Sequence, residues 1–351
     1  MRFDLASLGW DAAFANAYPT LAGLRPGRVV RADQGVCTVL CADGTVRASL
    51  AGTILAGAAG DPTRLPCAGD WVLVRAWPDD RFTAEVVLPR RTSIVRRIAG
   101  KAAAGQVLAA NVDTAAVVEP MHPTPDMARI ERMLALAWAS GAEPLVLLTK
   151  CDLAPDPAAV AAQVAELAPG VRVLPVSAQT GAGLAQLRPR VAPGRTLALL
   201  GPSGAGKSTL VNALAGATVM VTQGIRGVDG KGRHTTTHRA LIPIPGGGAV
   251  LDTPGIRAVG LLDAADGLEH AFADVAELAA ACRFDDCGHR VEPGCAVRAA
   301  LDEGELAPRR WESWCKLQRE VAFETRRREA RLAAEARAGR RRTRSDRRIR
   351  P

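Results

Sequence analysis

The sequence predicts an α/β fold preceded by a small β-barrel and followed by a helical, metal-binding end, and three observations carry that prediction. The apolar run Leu197-Ala198-Leu199-Leu200 leads into the loop Gly201-Pro202-Ser203-Gly204-Ala205-Gly206-Lys207-Ser208-Thr209, which opens a helix-like run at 210–214. Strand-type segments alternate with helix-type segments from residue 112 onward, as in a mainly parallel sheet covered on both faces. Between residues 25 and 92 the pattern differs: short β-type runs at 28–31, 36–40, 45–50, 69–74 and 84–88 are punctuated by Gly, Asp and Pro.

Strand, glycine loop, helix is the setting that a phosphate-binding loop requires. Glycines let the backbone curl until its N–H groups converge on one point, and the helix directs its positive end there. Lys207 then lies against the β- and γ-phosphates of a nucleotide, and Ser208 offers its hydroxyl to Mg²⁺.

Two further strand ends carry chemistry. Thr149-Lys150-Cys151-Asp152 follows the buried run 145–148, and Ser177-Ala178 follows the run 171–176. They resemble the guanine-recognition motifs of GTPases: a carboxylate at Asp152 accepts from guanine N1–H and the exocyclic amine, Lys150 packs its stem on the base, and the Ala178 N–H binds O6. Thr149 stands where Asn is usual, which predicts weaker polar bracing of the base. Asp252-Thr253-Pro254-Gly255, at the end of the run 249–251, resembles the D-x-x-G switch, with Asp252 reaching Mg²⁺ through a water and the Gly255 N–H on the γ-phosphate. Between loop and switch lies Gly224 to His238, ending His234-Thr235-Thr236-Thr237-His238. Thr237 is expected to complete the Mg²⁺ shell, with Thr236 next; the alternative is that these threonines only cap a turn.

The order of these motifs is informative. Ordinary small GTPases place the guanine motifs last, whereas here they come first, so the sequence predicts a circularly permuted P-loop GTPase domain. Permutation moves the termini to former surface loops and keeps the spatial arrangement.

After a helical run at 263–281 come Cys282, Cys287, His289 and Cys295, three thiolates and an imidazole at a spacing that wraps one tetrahedral Zn²⁺ as a closed, structural site. Chance clustering is the competing reading. Cys37, Cys41, Cys67, Cys151 and Cys315 read as small apolar residues.

The early β-runs fit an OB-type barrel, a fold that commonly binds oligonucleotides, with Arg28, Arg31, Arg47 and Arg75 available to a nucleic-acid backbone. Stacking aromatics there are few (Trp71, Trp77, Phe82), and plain scaffolding remains the alternative. Residues 1–24 read as a lead-in with little signal and 90–106 as a polar linker. Thr124-Pro125-Asp126 start a helix to about 140, Asp156-Pro157 cap the next, and 308 to about 337 reads as helical. The expected divisions are 1–24, 25–92 for the barrel, 105–262 for the GTPase domain, 263–320 for the zinc-binding domain and 321–351 for a basic tail.

The chain has 351 residues, 48% of them apolar, enough to pack two or three domains. No stretch approaches about eighteen uninterrupted apolar residues, and the first residues lack an apolar signal core, so a soluble cytoplasmic protein without membrane contact is expected. Of the net charge of +9, a balance of +8 sits in residues 319–351 as thirteen arginines against five acids. Its bland reading is a solvated end; its sharper one is contact with nucleic-acid phosphates.

Barrel, permuted domain and Cys3His quartet in this order are similar to the ribosome small-subunit-dependent GTPase A family of bacteria. The likeness covers about residues 25–320. The resemblance implies a monomer that binds GTP and GDP, hydrolyses GTP slowly alone and faster on the small ribosomal subunit, contacts its rRNA, and acts late in its maturation. A different class, an RNA-binding assembly protein with nucleotide as a structural ligand, is the rival. Ile256 occupies the place of the water-orienting glutamine of Ras-like enzymes. The group that positions water must then come from elsewhere: His234 is the first choice, beside Lys207 and Thr237 as catalytic residues, with His238 or the partner itself as alternatives.

Overall fold

The computed structural model describes residues 2–17, 23–97, 105–220, 239–253 and 264–348. The N-terminal segment is more than a lead-in. Asp11 accepts hydrogen bonds from the Ala13 and Phe14 N–H groups and starts α1 (Ala12–Ala17). Leu8 and Phe14 are buried, and Trp10 stacks on Phe14 and meets Trp71 edge-on. A segment with three large apolar side chains in seven residues is too short for periodicity to register, yet it packs between two domains.

Strands β1 (Leu24–Asp33), β2 (Val36–Cys41), β3 (Gly44–Leu50), β4 (Trp71–Ala76) and β5 (Phe82–Val87) close into a barrel in the order β1-β2-β3-β5-β4, with α2 (Gly52–Ala58) between β3 and β4. Pairing is antiparallel except between β3 and β5. Val29, Val39, Val72, Val74 and Ala84 point inward and are fully buried, the alternation that a closed sheet requires. Two residues expected to face nucleic acid do not. Arg28 is 1% exposed and Trp71 is fully buried, because β1 and β4 form the wall pressed against the GTPase domain. Arg47 and Trp77 do remain at the surface, the latter beneath the Arg75 guanidinium.

The stretch expected as a polar linker is a strand pair, β6 (Ser93–Arg97) with β7 (Gly105–Ala110). Arginines and an Ala/Gly run hide its signal, but Ile94, Leu108 and Ala109 are buried in the main core.

The central domain follows as β8 (Thr114–Pro120), α3 (Met127–Ala139), β9 (Glu143–Thr149), α4 (Pro157–Glu166), β10 (Arg172–Val176), α5 (Leu184–Leu187), β11 (Thr196–Leu200), α6 (Lys207–Ala215), β12 (Ala240–Pro243) and β13 (Ala249–Asp252). Strand order is β10-β9-β8-β11-β13-β12, parallel except for the edge strand β12. Burial of β11 and β13 on both faces explains their unbroken apolar runs. Asp126 itself caps α3, accepting from the Arg129 N–H, so Thr124 and Pro125 lie outside the helix. Asp156 caps α4 with Pro157 in its first turn.

The helical end comprises α7 (Ala265–Ala271), α8 (Ala273–Ala280), α9 (Ala296–Asp302) and α10 (Pro308–Arg348). The helical run expected at 263–281 breaks at Phe272, which is fully buried beneath the Arg310 guanidinium and leaves helical geometry to get there. Helix α10 runs past the expected limit near 337. It docks on α3 through Glu131, a fully buried carboxylate that accepts from Arg309, Arg310 and Ser313. Arg310 uses all five donors: Asp274 twice, Glu131, and the Leu167 and Ala271 carbonyls. Burying such a cluster is tolerable only when every charge and hydrogen is matched.

Gly267 on α7 touches α3 so closely that a Cβ would lie 2.2 Å from the Ala135 carbonyl oxygen. Gly267→Ala should therefore lower stability by about 1–3 kcal/mol through overpacking, seen as a lower urea midpoint. Gly57→Ala on α2, where a Cβ meets nothing within 4 Å, should be neutral or stabilising. Equal midpoints for the two variants would contradict the helix contact.

Candidate nucleotide and metal sites

Parallel register brings the motif-bearing strand ends to one edge. Val176 and Pro120 both pair with Thr149, Leu200 pairs with Val117, and Leu199 pairs with Asp252. Thr149-Lys150-Cys151-Asp152, Ser177-Ala178, the glycine loop and Asp252-Thr253 therefore emerge side by side.

The loop turns at once because Gly201 packs on β8, where a Cβ would sit 2.2 Å from the Val118 oxygen. Gly204 (φ 81°) and Gly206 (φ 85°) take left-handed geometry, and Gly206 is the N-cap of α6. No side chain caps this helix, so its first N–H groups face the loop. Pro202, Ser203 and Gly204 line the outer turn, and Ala205 is buried. Ser208 and Thr209 are half-buried in the first turn.

Lys207 is 7% exposed, and its Nζ donates to the Gly201 and Pro202 carbonyls at 2.9 and 2.8 Å. Burial pushes its ammonium below the usual lysine range while Asp252 opposes the shift. Burial also pushes the Asp252 carboxyl up to about 6, against the pull of Lys207. Its Oδ1 is buried and has no hydrogen-bond partner among the described residues. An orphaned carboxylate oxygen beside a phosphate loop suits a hard cation or its water shell. Thr253 locks the strand end by donating to the Leu199 carbonyl at 2.6 Å.

Thr149 does more than its place in the guanine motif suggests. Its Oγ1 donates to the Ala205 carbonyl at 2.7 Å, so the hydroxyl ties β9 to the phosphate loop. The hydroxyl thereby braces the loop. Lys150 (φ 58°) turns the chain into a short 3-10 helix at Cys151–Leu153, which buries Cys151 and leaves Asp152 exposed at its start. Ser177 is buried, its Oγ accepting from the Gln179 and Thr180 N–H groups, and it presents the half-buried Ala178 beside Asp152's strand. Thr236, Thr237, His234, His238, Gly255 and Ile256 lie outside the described residues.

Glu119 was not anticipated. It is a buried acid near the end of β8 that accepts a bidentate pair from Arg129 and the Asp126 N–H. An acid inside the apolar run 114–120 is the sequence signal that marks it.

Cys282, Cys287, His289 and Cys295 converge, with all four ligand atoms within 4.8 Å of one another. Cys282 Sγ and Cys295 Sγ are 3.9 Å apart and His289 Nδ1 is 3.5 Å from each. Tetrahedral coordination with bonds of about 2.3 Å has sulfur–sulfur edges near 3.8 Å, so the quartet fits one ion. His289 takes φ 54° to enter the group, and Trp311 and Trp314 of α10 back its ring.

A sequence model of the RsgA GTPase family matches residues 87–262. This chain belongs to the RsgA GTPase family. It is accordingly a GTP hydrolase. A Streptomyces coelicolor protein, "Small ribosomal subunit biogenesis GTPase RsgA", is 53% identical over 338 residues, covering 95% of this chain and 91% of that one. The Opitutus terrae protein of the same name is 46% identical over 92% and 91% of the two chains. Among solved structures, YjeQ from Thermotoga maritima superposes with a TM-score of 0.61 at 26% identity, over 85% of this chain and 99% of that one. YloQ, described as a circularly permuted GTPase, shares the fold with a TM-score of 0.55 at 23% identity, over 89% and 98%. The barrel, permuted domain and helical end of this RsgA family member are thus the arrangement its sequence predicted.

Neutral Asp252→Asn should stabilise the free protein in chelator at pH 7.5 by about 1–3 kcal/mol, because a carboxylate with a raised pKa disfavours the folded state above that pKa. Below pH 6 the folded wild type takes up a proton that the unfolded chain does not, so the advantage should shrink between pH 6 and 4. Urea unfolding across that range measures it. A variant less stable than wild type at pH 7.5 would show that the carboxylate is compensated.

Proposed function

We propose that this protein hydrolyses GTP during late maturation of the small ribosomal subunit, and that the subunit stimulates the reaction. The observation that carries the reading is the convergence of two guanine-type motifs, a phosphate loop and Asp252 on one sheet edge, in a chain about half identical to proteins named for small-subunit biogenesis.

Asp152 takes the guanine N1–H and amine, Lys150 covers the base, and the Ala178 N–H meets O6. N–H groups from Gly204 to Thr209 hold the phosphates, and Lys207 exchanges its loop carbonyls for phosphate oxygens. Bound Mg²⁺ would neutralise charge growing on the β,γ-bridge, held by Ser208, Thr237 or Thr236, and Asp252. The Cys282, Cys287, His289 and Cys295 set holds one structural Zn²⁺. With Ile256 after the switch, His234 orients the attacking water once the partner grips its loop. The protein works as a cytoplasmic monomer, and no described helix is long and apolar enough to cross a membrane.

Steady-state phosphate release tests the reading. Turnover should be slow alone and rise at least tenfold with small subunits, and His234→Ala should lose most of that rise, in line with the 10²–10⁴-fold that general-base positioning contributes. Absence of stimulation by small subunits, with nucleotide still bound, would favour an assembly protein that holds nucleotide as a structural ligand.

The Arg-rich end of α10 is proposed to bind rRNA phosphates. Deleting residues after Arg337 should weaken subunit co-sedimentation and flatten the log-affinity against log-salt slope by about 0.7–0.9 for each phosphate no longer neutralised. An unchanged slope would assign the tail to solvent.

A further inference from the structure

Arg28 lies where the N-terminal segment, the barrel and the root of the phosphate-loop strand meet. Its Nη1 donates to the Leu8 carbonyl at 2.6 Å, and its Nη2 to the Asn111 carbonyl at 2.8 Å and to Thr196 Oγ1 at 3.3 Å. The guanidinium sits 5.1 Å over the Trp71 ring. Its Nε is buried without a partner among the described residues. Burial pushes its pKa down to about 10, so it stays charged at neutral pH. The carboxylates of Asp113 and Asp70 favour its charge from a distance, while its hydrogen bonds go to neutral acceptors, so its place depends on those acceptors keeping theirs.

Thr196 is the first residue of β11, five residues before Gly201. Asp113 holds it rigidly, accepting from its N–H at 2.7 Å and donating to its carbonyl at 2.9 Å. A cavity of about 460 Å³ beside the joint is lined by Arg28, Asn111 and Asp113 together with Trp10, Phe14 and Arg195, and the Gly194 N–H in the loop before β11 donates to the Ser7 carbonyl of the N-terminal segment at 2.8 Å. The N-terminal segment, the barrel and the root of β11 are therefore joined at one place, through Arg28 and through the Ser7–Gly194 hydrogen bond.

We infer that Arg28, acting on Thr196, is the positioning residue through which a load on the barrel reaches the phosphate loop. A partner that grips the exposed barrel face shifts β1, the guanidinium carries the shift to the root of β11, and the loop adjusts around the nucleotide. The inference rests on the subunit-stimulated reading above. It differs from the contacts at the nucleotide because Arg28 and Thr196 lie at the far end of the sheet.

Thr196→Val keeps strand shape and removes the acceptor, and Thr196→Ser keeps the hydroxyl. Thr196→Val should lower subunit-stimulated kcat at least fivefold and leave unstimulated turnover and subunit co-sedimentation at wild-type values. Thr196→Ser should restore stimulation. Stimulation of Thr196→Val equal to wild type would overturn the inference, as would a deficit in both variants, which would mark a packing effect.

Hydrogen exchange on the free protein supplies a readout independent of stimulation. Arg28→Lys, which keeps the charge but loses the fork, should speed exchange at 196–206 and leave β9 and β10 protected. Unchanged exchange at 196–206 would overturn the inference even with stimulation intact. If wild-type turnover ignores the subunit, the functional reading fails by itself, and the exchange result still decides whether the joint reaches the loop.

Discussion

The position of β11 between β8 and β13 is the constraint on which the rest depends. A parallel strand with partners on both sides has no freedom of register, so Leu199 must lie beside Asp252 and Leu200 beside Val117. Gly201 then begins its turn against the Val118 carbonyl, where only a residue without Cβ fits. Phosphate loop, switch aspartate and guanine motifs meet because four strand registers agree, although their order along the chain is permuted. Spatial order, not chain order, builds the site.

Around this centre three buried polar joints hold the protein. Thr149 ties β9 to the loop, Thr253 ties β13 to β11, and Glu131 with Arg310 ties α10 and the end that carries the Cys/His quartet to α3. Each is buried, so each is stringent: removing one partner strands a polar group in an apolar environment. Lys207 and Asp252 are the exception at the heart of the site. Both are pushed toward neutrality by burial, and Asp252 keeps an unpartnered oxygen. That uncompensated desolvation makes this edge of the sheet the place where the free chain carries buried charge at a cost.

Features that depend on contiguous residues were legible before any folding. A phosphate loop is a local backbone shape, and its glycines, lysine and hydroxyls stand in one stretch. The guanine-type motifs and Asp252 each end an apolar run, and Cys282, Cys287, His289 and Cys295, whose ligand atoms converge closely enough to hold one ion, stand within fourteen residues. The barrel was legible from its alternation, and the permutation from motif order alone.

Features that depend on partners far along the chain were settled only by packing. Arg28 looks like a surface arginine until Leu8, Asn111 and Thr196 close over it. Thr149 looks like a weakened base contact until Ala205 arrives from 56 residues away. The break at Phe272, the strand pair at 93–110 and the docking of the first residues all follow from burial against remote surfaces, which no local pattern encodes. Local motifs specify the chemistry, and long-range packing specifies which polar groups remain free to perform it.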